Sequence, residues 1–168
     1  MQQLAEVRGP AQRIGIVGHQ GLPPATRKLV GAALHDVLLR CGSDIVGMTC
    51  LADGADQLFA SAVLALGHQL EVIVPAERYR DGLSPESQSE YDQLLARARH
   101  IESLPFVEST EEAHMAAGKV VVDRSDLLLA VWDGAPARGY GGTADVVAYA
   151  REQGVPVEVI WPKGASRD

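Results

Sequence analysis

Apolar positions along the chain alternate between two periods. A short β-branched run in "RIGIVGHQG" stops at glycine and predicts a strand over about Arg13 to Val17. Leu29, Val30, Ala33, Leu34, Val37 and Leu38 then recur at helical spacing, with Pro23 and Pro24 at the entry and Gly42 at the exit. "DIVGMTC" predicts a second strand. It leads through "LADGAD" into a helix whose apolar face is Leu58, Phe59, Ala62, Val63 and Leu66, closed by Gly67. "LEVIVP" is apolar almost throughout, as a strand covered on both faces should be.

The second half repeats the alternation. Ser84 and Pro85 read as the N-cap and first residue of a helix with a buried stripe of Tyr91, Leu94, Leu95 and Ala98. Ile101 to Val107 is a weaker strand signal. Ser109 with Glu112 matches a capping box and opens a helix to about Asp123. "DLLLAVW", "GGTADVVAYAREQG" and "PVEVIW" close the chain as strand, helix and strand. Strands alternating with helices predict an α/β fold with a parallel sheet covered on both faces. Right-handed crossovers then gather the strand-to-helix loops on one edge. Ligands bind there, where the strand order reverses.

Composition narrows this picture. The 168 residues suit one domain over 1–168, with flexible ends expected at 1–12 and 163–168. A formal net charge of -7 repels polyanions, so nucleic acid is not an expected partner. Cys41 and Cys50 lack the rhythm of metal ligands and read as buried reduced thiols, so no metal site is expected and the compartment is read as cytoplasmic. No segment suits a membrane span or a signal peptide, and no membrane partner is expected.

Three glycine-bearing loops follow strands and lead into helices: Gly18–Gly21, Leu51–Asp56 and Asp133–Thr143. The third carries the strongest chemistry. Gly139, Gly141 and Gly142 surround a helix start where free N–H groups and the positive helix end favour an anion. Missing Cβ atoms allow close approach. Thr143 adds a hydroxyl and Arg138 a positive charge. Asp133 and Gly134, directly after their strand, are placed for ribose hydroxyls, and Trp132 reads as core.

In the second loop, Ala52 and Gly54 complete the turn and Asp56 complements the helix dipole. Asp53 binds ribose hydroxyls, a cation or a neighbouring backbone N–H, and the residues alone do not choose among these. In the first loop, Gly18 permits close approach, while His19 contacts a base or phosphate or bonds locally. Gly15, Gly18 and Gly21 do not make the dinucleotide fingerprint. Arg78, Tyr79 and Arg80 read as a solvated loop, with a lid over a nucleotide as the alternative.

"LADGADQLFA", and "DLLLAVWDG" followed by "GGTAD", resemble the SLOG superfamily, which includes Lonely Guy proteins, molybdenum-cofactor carrier proteins and DNA-processing protein A. The resemblance covers about Ile14 to Pro162. It implies a Rossmann-like three-layer α/β/α fold with a mainly parallel sheet of five to six strands. It also implies a nucleotide or nucleotide-derived ligand, bound or sensed through phosphate loops, and a homodimer or higher homo-oligomer. Whether Mg²⁺ accompanies the ligand is not readable. The alternative it implies is a nucleoside 5′-monophosphate phosphoribohydrolase, with Asp145 and Arg138 as its catalytic residues. The Lonely Guy pattern carries its glutamate three residues after the threonine, where this chain has Val146. Asp145 is one residue earlier, rotated by roughly 100° on a helix.

Overall fold

A computed structural model describes residues 11–167. Its elements are β1 (Gln12–Gly18), α1 (Pro24–Arg40), β2 (Ile45–Thr49), α2 (Ala55–Ala65), β3 (Gln69–Val74), α3 (Pro85–Ala96), β4 (His100–Ser103), α4 (Glu111–Asp123), β5 (Leu127–Val131), α5 (Thr143–Glu152) and β6 (Val157–Ile160), with one 3₁₀ turn at Arg80–Gly82. All six strands are parallel, in the order β4-β3-β2-β1-β5-β6. The chain starts in the middle of the sheet and steps outward through β2, β3 and β4. It then returns to the other side of β1 for β5 and β6. Strand order therefore reverses between β1 and β5.

Two apolar cores follow from the strand pleat. On one face, Ile14, Ile16, Leu129 and Val131 meet Val30, Leu34 and Leu38 of α1 and Phe59 and Val63 of α2. On the other, Met48, Ile73 and Leu128 meet Met115, Val121 and Val122 of α4 and Val146 and Ala150 of α5. α1 packs beside α2, and α4 beside α5. The central strands bury both their faces, which is why β2 and β3 read as nearly unbroken apolar runs. Glu71 interrupts β3 and is answered by Arg13, 2.9 Å away across the sheet.

Local chemistry sets most boundaries. The Ser84 hydroxyl accepts the Ser87 N–H, with Pro85 next in the helix, as expected. The capping box is corrected by one residue. Thr110 is the N-cap of α4 and accepts the Ala113 N–H at 3.1 Å, while Ser109 turns its hydroxyl to His114 Nε2 at 2.7 Å. The Ile101–Val107 signal resolves into a four-residue edge strand, β4. The first ten residues of the expected N-terminal end, 1–10, and residue 168 of the other lie outside the described residues. The tail from 163 to 167 returns to the body of the domain. The Ser166 N–H donates to Thr26 Oγ1 at 3.0 Å, and the Thr26 hydroxyl donates to Ser166 O at 3.1 Å.

Candidate functional site

The carboxyl ends of β1, β2 and β5 deliver all three glycine loops to one edge, and a cavity of about 580 Å³ opens there. That volume lies within the span of small-molecule sites, roughly 300–1,000 Å³. Of the residues singled out from sequence, Gly18, His19, Ala52, Asp53, Asp56, Arg138, Gly141, Gly142 and Thr143 line it. Gly54, Asp133, Gly134, Gly139 and Asp145 do not. Cys50, His114 and Arg167 also line it and were not expected there, and Tyr79, one of the lid candidates, lines it too.

The first two loops interlock through glycine. A Cβ on Gly18 would meet the Ala55 Cβ, and would lie 2.8 Å from Val131 Cβ. Gly54 has a φ of 82°, and a Cβ there would stand 2.6 Å from His19 O. The Ala55 N–H donates to that same carbonyl at 3.3 Å. Both glycines thus let the start of α2 press against the end of β1. Leu51, fully buried, is held in the left-handed region at a φ of 56°, with its N–H donating to Thr49 Oγ1 at 2.9 Å.

His19 is buried between loops one and three. Its Nε2 lies 3.0 Å from Asp133 Oδ1 and 3.1 Å from the Asp133 amide nitrogen, and its Nδ1 lies 3.4 Å from Thr143 Oγ1. Nε2 thus meets both the Asp133 carboxylate and the Asp133 N–H, which donates to it, while Nδ1 meets the Thr143 hydroxyl. Burial lowers the His19 pKa, Asp133 opposes the shift, and the Arg167 and Arg138 charges add to it. Asp133 Oδ1 also accepts the Ala135 N–H at 3.0 Å, the main cause of its own lowered pKa. His19 and Asp133 together hold the loop ends in register.

The start of α5 differs from the expectation. Free amides were expected at Gly141 and Gly142, yet both are engaged. The Gly141 N–H donates to Asp145 Oδ2 at 2.9 Å, and the Gly142 N–H donates to Gly139 O at 3.2 Å. Asp145 therefore reaches back through Oδ2 to close its own helix start, and it does not line the cavity where the hydrolase alternative needs a carboxylate. Among the described residues, the amides of Thr143 and Ala144 have no protein acceptor. Gly142, the N-cap residue, offers no side chain to cap them. Gly139 faces Glu111 of α4, and Gly134 makes the turn after β5 at a φ of 83°.

The carboxylates of the second loop separate in role. Asp53 accepts the Ser87 hydroxyl at 2.7 Å and the Gly21 N–H at 3.3 Å, with Arg27 3.7 Å away. The neighbouring-amide alternative is the one this geometry matches. Asp56 Oδ2 accepts the Thr49 hydroxyl, the Cys50 N–H and the Ala52 N–H at 3.1, 3.2 and 3.4 Å. Burial pushes its carboxyl up to about 6 against those bonds.

Three further expectations change. Tyr79 is buried rather than solvated, its ring set edge-on to Tyr91 and His114 at 6.0 and 5.8 Å. Trp132 is half-buried, donating to Ala135 O, with Arg151 over its ring. Cys41 and Cys50 are unpaired and only partly covered. Among the described residues no group of three or more His, Cys, Asp or Glu is arranged to hold a metal. No helix among them is long and apolar enough to cross a membrane.

No protein-family model matches the chain, and no curated protein matches it in sequence. Solved structures do match. DNA processing protein A from Streptococcus pneumoniae is 15% identical with a TM-score of 0.69, over 92% of this chain and 52% of that one. The chain thus spans about half the length of that protein. DNA processing protein A from Helicobacter pylori, described by its single-stranded DNA binding mode, is 15% identical with a TM-score of 0.66, over 92% and 68%. The molybdenum cofactor binding protein from Rippkaea orientalis is 14% identical with a TM-score of 0.56, over 89% and 76%. The fold is thus the Rossmann-like α/β fold that these proteins share. The expectation against nucleic acid as a partner is corrected here. A single-stranded DNA binder shares this fold, and overall acidity does not describe the local field at one edge.

Proposed function

We propose that this SLOG-type domain binds or senses a nucleotide-type small molecule at the carboxyl edge of its sheet. The observation that carries the reading is the start of α5. Two unpaired amides, Thr143 and Ala144, and the Thr143 hydroxyl stand at the positive end of a ten-residue helix. The cavity beside them is lined by Arg138 and Arg167. Such an end favours a phosphate or a carboxylate. Binding is favoured over phosphoribohydrolysis, because glycosidic cleavage needs a carboxylate at the developing oxocarbenium ion. Asp145 is committed to Gly141, and Asp133 to Ala135 and His19.

Calorimetric titration tests the reading with nucleoside monophosphates, the matching nucleosides and short single-stranded oligonucleotides. Phosphate-bearing ligands should bind, the nucleosides at least about tenfold more weakly, and Arg138→Ala should reduce the difference. Silence across the panel, or equal binding with and without phosphate, overturns it.

A further inference from the structure

Asp56 stands at the other end of the same cavity, and its two oxygens are used unequally. Oδ2 takes all three of the hydrogen bonds that close the loop after β2. Oδ1 has no partner among the described residues, although the residue is only 6% exposed and lines the cavity. A buried acceptor at a cavity wall calls for a donor. The walls beside it are aromatic and neutral: Tyr79 is buried against His114, and burial holds His114 below the usual histidine range. No lysine or arginine of the cavity wall comes from β2, α2 or α4; its cations are Arg138 and Arg167. The loops after β2 and β5 flank β1, two strand spacings apart, or roughly 10 Å.

We infer that Asp56 reads the ring end of the ligand: its free oxygen accepts an N–H from the exocyclic amine of a heterocyclic base whose anionic end lies at Thr143 and Ala144. The inference rests on the nucleotide reading above and adds the class of base to it. A ring without the amine covers the carboxylate and leaves it without a donor. That loss discriminates more strongly than any difference in packing.

Asp56→Asn gives the sharpest probe. The three groups on Oδ2 are all donors, so the asparagine must turn its carbonyl oxygen to them and its NH₂ to the cavity. An acceptor becomes a donor with little change of shape. The full chain is titrated at pH 8, where the carboxylate is ionised. Three pairs of monophosphates differ by a single exocyclic amine: AMP and purine riboside monophosphate, GMP and IMP, CMP and pyrimidin-2-one riboside monophosphate. In the pair whose ring fits, the wild-type chain should bind the amino member about tenfold or more tightly. In Asp56→Asn the preference should vanish or reverse. Wild-type affinities within twofold in every pair, or a preference that survives in Asp56→Asn, overturn the inference and leave the phosphate reading standing. Binding by none of the six overturns both. Should Asp56→Asn fail to fold, the wild-type pairs decide alone.

Discussion

At Gly18 a single hydrogen separates the close approach of two elements from a collision. Its added Cβ would sit 2.8 Å from Val131 Cβ and against Ala55, both on rigid elements. Gly18→Ala should therefore cost about 1–3 kcal/mol by overpacking, read as a lowered midpoint in denaturant. An unchanged midpoint would mean that α2 is free to shift. Asp56 makes the opposite kind of prediction, through protons. Its folded pKa, about 6, lies above the usual aspartate value of 3.8, so the folded chain binds the proton more tightly. The stability it contributes is complete below pH 3.8 and is lost as pH rises through about 6. Asp56→Asn carries no such dependence. The variant should gain on the wild type by about 3 kcal/mol between pH 3.5 and pH 8. Cys50 and Tyr79, the neighbouring titratable groups, are both pushed up by burial, away from that window. A flat difference across the range would refute the assignment. Chemistry at this scale was only half legible. "LADGAD" announced two carboxylates, but only the fold shows Asp53 tied to Ser87 and Gly21 while Asp56 keeps an oxygen for the cavity. Arg167 could not be read at all, because its place depends on the tail folding back through Ser166 and Thr26.

Among the elements, the start of α5 shows how a local motif can be seen and still misread. Glycine density before Thr143 marked a loop that approaches something closely, and the loop does stand at the cavity. Glycine spacing does not say which amides are already used. Two turn-internal bonds, Gly142 to Gly139 and Gly141 to Asp145, move the free donors two residues along, to Thr143 and Ala144. Asp145→Ala separates a capping role from a catalytic one. It removes the acceptor of the Gly141 N–H and should cost about 0.5–2 kcal/mol of stability. It also withdraws a negative charge from the anion end. Monophosphate affinity should therefore hold or rise by a few fold, whereas loss of all ligand binding would contradict a capping role. The same logic explains α4. "ST" at 109–110 offers two hydroxyls, and Thr110 becomes the cap because Ser109 finds His114 instead. Sequence periodicity placed the element to within a few residues but could not choose between neighbouring hydroxyls.

At the scale of the whole molecule, the alternation of strands and helices was enough to predict a parallel, double-covered sheet. The buried runs of β2, β3 and β5 carry that signal in nearly every position. Pairing order carries no such signal. The reversal between β1 and β5 is what turns three separate glycine loops into one cavity, and it depends on α4 crossing to the far face after β4. Net charge misled in a different way. A total of -7 is spread over the surface, while the cavity lining holds Arg138 and Arg167. The local field, not the sum, governs whether an anion enters. Salt dependence distinguishes the two. If a single-stranded oligonucleotide binds at this edge, two arginines set the number of phosphates neutralised, so log K should fall against log salt with a slope of roughly -1.4. Arg138→Ala and Arg167→Ala should each reduce that slope by about 0.7. A mononucleotide should compete with the oligonucleotide, because both would use the amides of Thr143 and Ala144. A steeper slope, indifferent to both substitutions and to the competitor, would put the strand on another surface and leave the cavity to the small molecule alone.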